Sequence, residues 1–247
     1  MLLMRYSRPL SATAQDEKPL PIAAKFVALV LAVLAITTPV RAQTNIDLLL
    51  VLAVDASGSV NQERFELQRR GYAEAFRNAQ VLNAIRRGST KSIAVTVVQW
   101  TGPTLQVQVV PWTLIKDERT ITAFADAIEA APRQLFGGGT SISGAIDYAM
   151  LILPTAPFKG FKQVIDVSGD GSNNRGRDVR DARDDAVRAG VVINGLPILS
   201  LEPYLDKYYF DHVIGGPGAF MIPAESYEKF SDAVLRKLIQ EMAQNER

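Results

Sequence analysis

Residues 46–59 read IDLLLVLAVDASGS, an unbroken apolar run from Leu48 to Val54 that ends in Asp55 and a turn of small residues. Such a run is too uniform for a strand with one wet face. It suits a central strand of a parallel sheet covered on both sides. The turn Asp55-Ala56-Ser57-Gly58-Ser59 offers one carboxylate and two hydroxyls at alternate positions, and Gly58 is expected to free the backbone so that all three face one point. From Asn61 to Asn78, Phe65, Tyr72, Ala73 and Phe76 fall on one helical face between charged residues. The stretch therefore predicts strand, oxygen-rich turn and helix in succession.

Outward from there the alternation continues. SIAVTVVQW (92–100) reads as a second buried strand, and LQVQVVPW (105–112) alternates like an edge strand paired to it across Thr101-Gly102-Pro103. A helix is predicted from Glu118 to Ala131. The loop Gly137-Gly138-Gly139-Thr140 then opens a helix from about Ser141 to Leu153. QVIDVSGD (163–170) is a strand ending in Asp170, followed by a helix over Asp178 to Ala189 and a strand over VVINGLPIL (191–199). A helical stretch near Tyr204 to Asp211, a short strand near AFMIP (219–223) and a last helix from about Ala224 to Ala243 complete the reading. That helix should turn Tyr227, Phe230, Val234, Leu238 and Met242 inward. The pattern predicts a doubly wound, Rossmann-like α/β sheet with helices on both faces, in one domain over residues 43–247.

Composition narrows the chemistry. The 27 basic and 26 acidic residues leave a net charge of +1, too even to favour nucleic acid or an anionic membrane as partner. There is no cysteine and a single histidine, His212. Thiolate zinc sites, catalytic thiols, disulfides and multi-histidine zinc sites are thereby excluded, so any metal must be held by oxygen, which favours hard cations. The run RGRDVRDARDD (175–185) carries four aspartates against its arginines and reads as a solvated helix face.

Residues 1–42 read as an address. A mixed polar segment ends at Lys25 and is followed by FVALVLAVLAITTPV, then Val40-Arg41-Ala42. The apolar run is short against the roughly 20 residues of a membrane span, and the small-residue site before Gln43 predicts cleavage of a secretory signal peptide near Ala42. The remaining chain carries 22 basic and 24 acidic residues. A secreted chain without cysteine fits a bacterial periplasm or exterior.

In an open α/β sheet, ligands bind beyond the carboxyl ends of the strands where strand order reverses. Three loops bring oxygen donors there: Asp55, Ser57 and Ser59 after the first strand, Thr140 after the glycine loop, and Asp170 after the strand 163–170. Two carboxylates and three hydroxyls suit an octahedral Mg²⁺ or Mn²⁺ site with some ligands acting through water. If neutral hydroxyls touch the ion directly, it keeps electrophilic character and seeks an anionic ligand, naturally a carboxylate of a partner protein. Phe136, Gly138, Gly139 and Ser141 are expected to form the rim such a partner would meet.

These residues resemble the von Willebrand factor type A domains and their integrin I-domain relatives. The likeness is DxSxS at Asp55, Ser57 and Ser59, a threonine in a glycine-rich loop at Thr140, and an aspartate before glycine at Asp170, in the family's order. It extends over residues 45–243. The resemblance implies a mostly parallel sheet with one antiparallel edge strand, divalent-metal binding at a metal-ion-dependent adhesion site, recognition of an acidic ligand, and a secreted bacterial binding module rather than an enzyme. The chain departs from the family at Gly169, where the resemblance implies a threonine backing the metal ligands. An alternative is a degenerate A domain in which the loop is structural and binding uses another surface.

Rival motifs fail on particular residues. Gly139 to Gly144 has phosphate-loop spacing, but Ala145 stands where lysine is needed. Asp166 to Gly171 begins like a calcium loop, yet its twelfth position is Arg177 instead of glutamate. A hydrolase using Ser57 or Ser59 with His212 would lack the G-x-S-x-G elbow.

Overall fold

A computed structural model describes residues 43–244; the expected signal peptide lies outside the described residues. Five strands, β1 (Thr44–Asp55), β2 (Ile93–Trp100), β3 (Gln106–Ile115), β4 (Phe158–Gly169) and β5 (Val192–Pro197), form one sheet of order β3-β2-β1-β4-β5. All pairs are parallel except β2 with β3, which is antiparallel. Strand β1, the most apolar, lies at the centre and is fully buried from Ile46 onward. The chain leaves β1 for β2 on one side and later returns to β4 on the other. The carboxyl ends of β1 and β4 therefore flank the point where strand order reverses.

Helices α1 (Gln62–Arg77), α2 (Ala79–Ile85), α3 (Glu118–Ala130) and α7 (Phe230–Ala243) cover one face. Their core joins Leu50, Leu52, Tyr72, Phe76, Phe124, Phe230 and Leu238. Helices α4 (Ile142–Ile152), α5 (Val179–Arg188) and the short α6 (Leu205–Tyr208) cover the other, around Val51, Trp100, Ile146, Ile165 and Tyr209. Asn61 caps α1 by accepting from the Arg64 amide, as a short polar side chain does for an orphan N–H. Asp117 and Thr120 close a reciprocal capping box on α3. The arginines of the 175–188 run pair with aspartates, Arg177 with Asp147 and Asp185 and Arg180 with Asp178, which makes that surface a solvated ion-pair network.

Several boundaries differ from the sequence reading. β3 runs on to Ile115 and β4 begins at Phe158, because pairing with a neighbour extends a strand past its apolar stretch. Helix α2 was missed; Asn78 both ends α1 and caps α2 through Gln80. The expected strand at 219–223 makes only isolated bridges, Gly195 with Met221 and Ile198 with Ala224. Gly216 and Gly218 at positive φ and the prolines Pro217 and Pro223 keep it from forming a ladder. The last helix starts at Phe230, not Ala224, because residues 226–230 are held in tight turns, Lys229 N–H to Ser226 O and Phe230 N–H to Tyr227 O.

The two sheet edges differ. On β5, segment 215–224 takes up the outer backbone groups, with Ile193 and Gly215 exchanging bonds and Ile222 donating to Gly195 O. On β3, the register shifts opposite Val95 and Val97, next to exposed Pro111.

Candidate metal centre

Asp55 is the last residue of β1, and Asp170 follows the last residue of β4. Both carboxylates are fully buried. Ser57 N–H donates to Asp55 Oδ1 at 2.7 Å, which folds the turn back on itself. The hydroxyls of Ser57 and Ser59 lie 3.1 Å apart, and Ser59 Oγ donates to Asp170 Oδ1. The other Asp170 oxygen accepts from Tyr227 OH at 2.8 Å and faces the Arg64 guanidinium at 3.6 Å. Arg64 also lies over the Tyr227 ring.

Thr140 is brought to the same place by the loop after β4. Its backbone N–H donates to Asn174 Oδ1, and its carbonyl accepts from the Asn174 and Arg175 amides. Its hydroxyl lies 3.8 Å from where a Cβ on Gly171 would stand, beside Asp170. The three glycines before it hold φ of 70°, 95° and 84° at Gly137, Gly138 and Gly139, a region where a side chain is strained. Hydrogen bonds thus link Asp55, Ser57, Ser59 and Asp170, and the Thr140 hydroxyl stands near Gly171, the residue after Asp170.

The electrostatics of that convergence fit a cation. Burial first, and then the charge of Asp170, push the Asp55 carboxyl up to about 7, against the lowering effect of the Ser57 amide. Asp55 Oδ2 is buried without a hydrogen-bond partner. Two like charges in a dry pocket are costly, and a divalent ion is the group that relieves both at once. Among the described residues no three His, Cys, Asp or Glu cluster; the donor set is two carboxylates and three hydroxyls, the chemistry of a hard ion.

Two expectations need correction. Ser141 is buried and caps α4 by accepting from Gly144 N–H, so it is not a rim residue. Gly58 has no positive φ, and a Cβ there would meet nothing nearer than Gly137 Cα at 3.7 Å, so the turn does not depend on its freedom. Trp100 is wholly buried. His212 stacks on Tyr208 and makes no hydrogen bond to Ser57 or Ser59 among the described residues. Phe136 is 69% exposed.

Sequence reasoning missed the groups that hold the donors. Gln68 Nε2 donates to Asp55 O. The Arg133 guanidinium donates to Ala56 O at 3.0 Å and lies over the rings of both Phe65 and Phe136. Tyr227 was legible as inward-facing by its spacing, but its hydroxyl's target was not. Arg64 gave no signal beyond its place in the first turn of α1.

A family described as "Protein of unknown function (DUF1194)" matches residues 45–246. No curated protein matches the chain in sequence. Among solved structures, proximal thread matrix protein 1 from the mussel byssus, with a zinc-occupied MIDAS motif, is 14% identical over 81% of this chain and 49% of its own, with a TM-score of 0.57. A von Willebrand factor type A protein from Catenulispora acidiphila is 15% identical over 81% and 43%, with a TM-score of 0.52. The pilus adhesin SpaC from Lactobacillus rhamnosus GG is 16% identical over 81% and 31%, with a TM-score of 0.56. The chain thus spans less than half the length of each, and at these identities the likeness is one of fold.

Proposed function

Since the chain belongs to the DUF1194 family and has the von Willebrand factor type A fold, we propose that it is an exported protein-binding module, not an enzyme. In this reading Asp55, Ser57, Ser59, Thr140 and Asp170 hold Mg²⁺ or Mn²⁺ and engage a carboxylate of a partner protein. Residues 1–42 serve as the export signal, and 43–247 form the one binding domain. The observation that carries the reading is the meeting of two fully buried carboxylates with the Ser57 and Ser59 hydroxyls where strand order reverses.

A divalent cation bound there would supply an electrophilic position for an incoming carboxylate oxygen. The chain's own groups set its surroundings. Tyr227 and Arg64 occupy Asp170 Oδ2, which fixes the orientation of that carboxylate and leaves Oδ1 toward the serines. Arg133 braces the Ala56 carbonyl and the Phe136 ring together, so the turn and the exposed rim of Phe136, Gly138 and Gly139 are coupled.

One observation favours a second reading, the degenerate A domain. The run Ser57–Ser59–Asp170–Tyr227 already closes by its own hydrogen bonds. A turn so bonded could be structural, with binding at another surface. The thermal midpoint in EDTA and in ~10 mM Mg²⁺ or Mn²⁺, for wild type and Asp55→Ala, separates the two. With a dissociation constant a hundredfold below that concentration, mass action adds about 2.7 kcal/mol, a rise of several degrees at this size. A wild-type rise that Asp55→Ala abolishes supports the metal site; no rise in either protein overturns it in favour of the structural turn.

A further inference from the structure

The Tyr209 phenol occupies a slot made by two missing side chains. Gly195 of β5 and Gly169 of β4 lie on the same sheet face, since Val167 pairs with Gly195 and Gly169 with Pro197. A Cβ on Gly195 would stand 2.7 Å from Tyr209 Cδ1, and a Cβ on Gly169 would stand 3.1 Å from the Tyr209 hydroxyl. The ring thus lies over the first glycine and its hydroxyl reaches the second. That same Gly169 position is 2.9 Å from Asp55 Oδ2 and 3.2 Å from Trp100. Tyr209 OH and Asp55 Oδ2 are both buried and both without a hydrogen-bond partner. One is a donor and the other a charged acceptor, lining the same small space above Gly169 without a bond between them.

Tyr209 opens a π-helical turn, residues 209–213, in which Ile214 N–H donates to Tyr209 O. Such turns are rare and recur at functional sites. A tyrosine fully buried in that turn, with its polar end facing a buried carboxylate and not solvent, is costly unless the two polar groups serve one another.

We propose that Tyr209 is a positioning residue for the metal centre: its hydroxyl, unbonded to Asp55 Oδ2 in the structure described, becomes that oxygen's donor when an ion turns the Asp55 carboxylate, and Gly169 and Gly195 are glycines because the phenol needs their space. With Oδ1 held by the Ser57 amide, a bond from Tyr209 would fix the second Asp55 oxygen and hence the carboxylate's rotation. The inference rests on the metal reading above. It goes beyond it by giving Gly169 a cause.

The test is the Mn²⁺ affinity of the purified protein by calorimetric titration, together with the thermal midpoint in EDTA, for wild type, Tyr209→Phe and Gly169→Ala. Tyr209→Phe keeps the ring and removes only an unpartnered hydroxyl, so its EDTA midpoint should be unchanged or higher. Its Mn²⁺ affinity should fall about 10- to 100-fold, the usual effect of losing a group that orients a ligand. Gly169→Ala, which wedges a methyl between the two oxygens, should weaken Mn²⁺ in the same sense and gives a second reading should Tyr209→Phe fold poorly. Wild-type binding left undiminished in either folded variant overturns the role of Tyr209 alone. Absence of Mn²⁺ binding by the wild type overturns the metal reading and this inference with it.

Discussion

Tyr227, in the turn before the last helix, donates its hydroxyl to Oδ2 of Asp170, the residue that follows strand β4, at 2.8 Å and out of contact with solvent. Burial and the negative charge of Asp170 hold that phenol well above its ordinary range, so it remains a donor. The bond ties the carboxyl-terminal segment to the candidate metal centre.

Tyr227→Phe removes this donor and leaves one oxygen of a buried carboxylate to Arg64 alone. A hydrogen bond to a charged group is worth about 1.5–3 kcal/mol. Urea unfolding in EDTA should show a loss in that range, and a change below about 0.5 kcal/mol would mean that the bond contributes nothing net.

Arg64→Ala separates charge from packing. The guanidinium faces Asp170 at 3.6 Å and is partly solvent-exposed, so its loss should cost at most about 1 kcal/mol in EDTA. With that positive charge gone, a bound cation relieves more repulsion. The difference in midpoint between EDTA and Mg²⁺ should therefore widen relative to wild type; narrowing would show that Arg64 assists the ion.

Stability should depend on pH through a second buried cluster, on the α7 side of the sheet. Asp166 is pushed up to about 6 by burial, with Lys237 opposing and Glu241 adding to the rise. Lys237 Nζ lies 3.0 Å from Asp166 and 3.6 Å from Glu241, Lys162 faces Glu241 at 3.7 Å, and Asn194 donates to Glu241. Because the folded-state value lies above the unfolded 3.8, the folded state keeps the proton longer. Its contribution is fully present below about 4 and is lost as pH rises through 6, with a slope of at most about 1.4 kcal/mol per pH unit. Urea unfolding in EDTA from pH 4.5 to 7 should show that slope reduced in Asp166→Asn; parallel profiles for the two proteins would assign the dependence elsewhere.

Arg133 and Phe136 are stacked but should differ sharply. Arg133→Ala orphans the Ala56 and Leu135 carbonyls and removes the cation from two rings, a loss of about 2 kcal/mol. Phe136→Ala, at a side chain 69% exposed, should fall within about 0.5 kcal/mol. Denaturant midpoints measure both, and equal losses would show that the ring, more than the guanidinium, braces the turn.

The central strand and the donors on it were legible because each announces itself locally. The run Leu48 to Val54 states its burial in its own letters, and Asp55, Ser57, Ser59, Thr140 and Asp170 sit at turns that any alternation of strand and helix must place at one end of the sheet. What the sequence did not disclose is long-range and carried by ordinary residue types. Tyr227 spaces like a core residue and is one, yet its hydroxyl reaches 57 positions back along the chain. Gly169 looks like a missing threonine until Tyr209 is seen lying against it. Ser141 looks like part of an open glycine loop but is drawn under it as a cap, because the four residues that follow an N-cap need acceptors first. The same competition moved the last helix, whose apolar spacing runs continuously through a segment that turns force open.

The two edges of the sheet differ in what they leave to a neighbouring strand. On one side Pro111 offers no amide and the bulge bends the strand, and on the other the 215–224 segment has already consumed the hydrogen-bonding groups of β5. A visiting strand finds the β5 edge already taken, and along β3 it meets an interruption at Pro111.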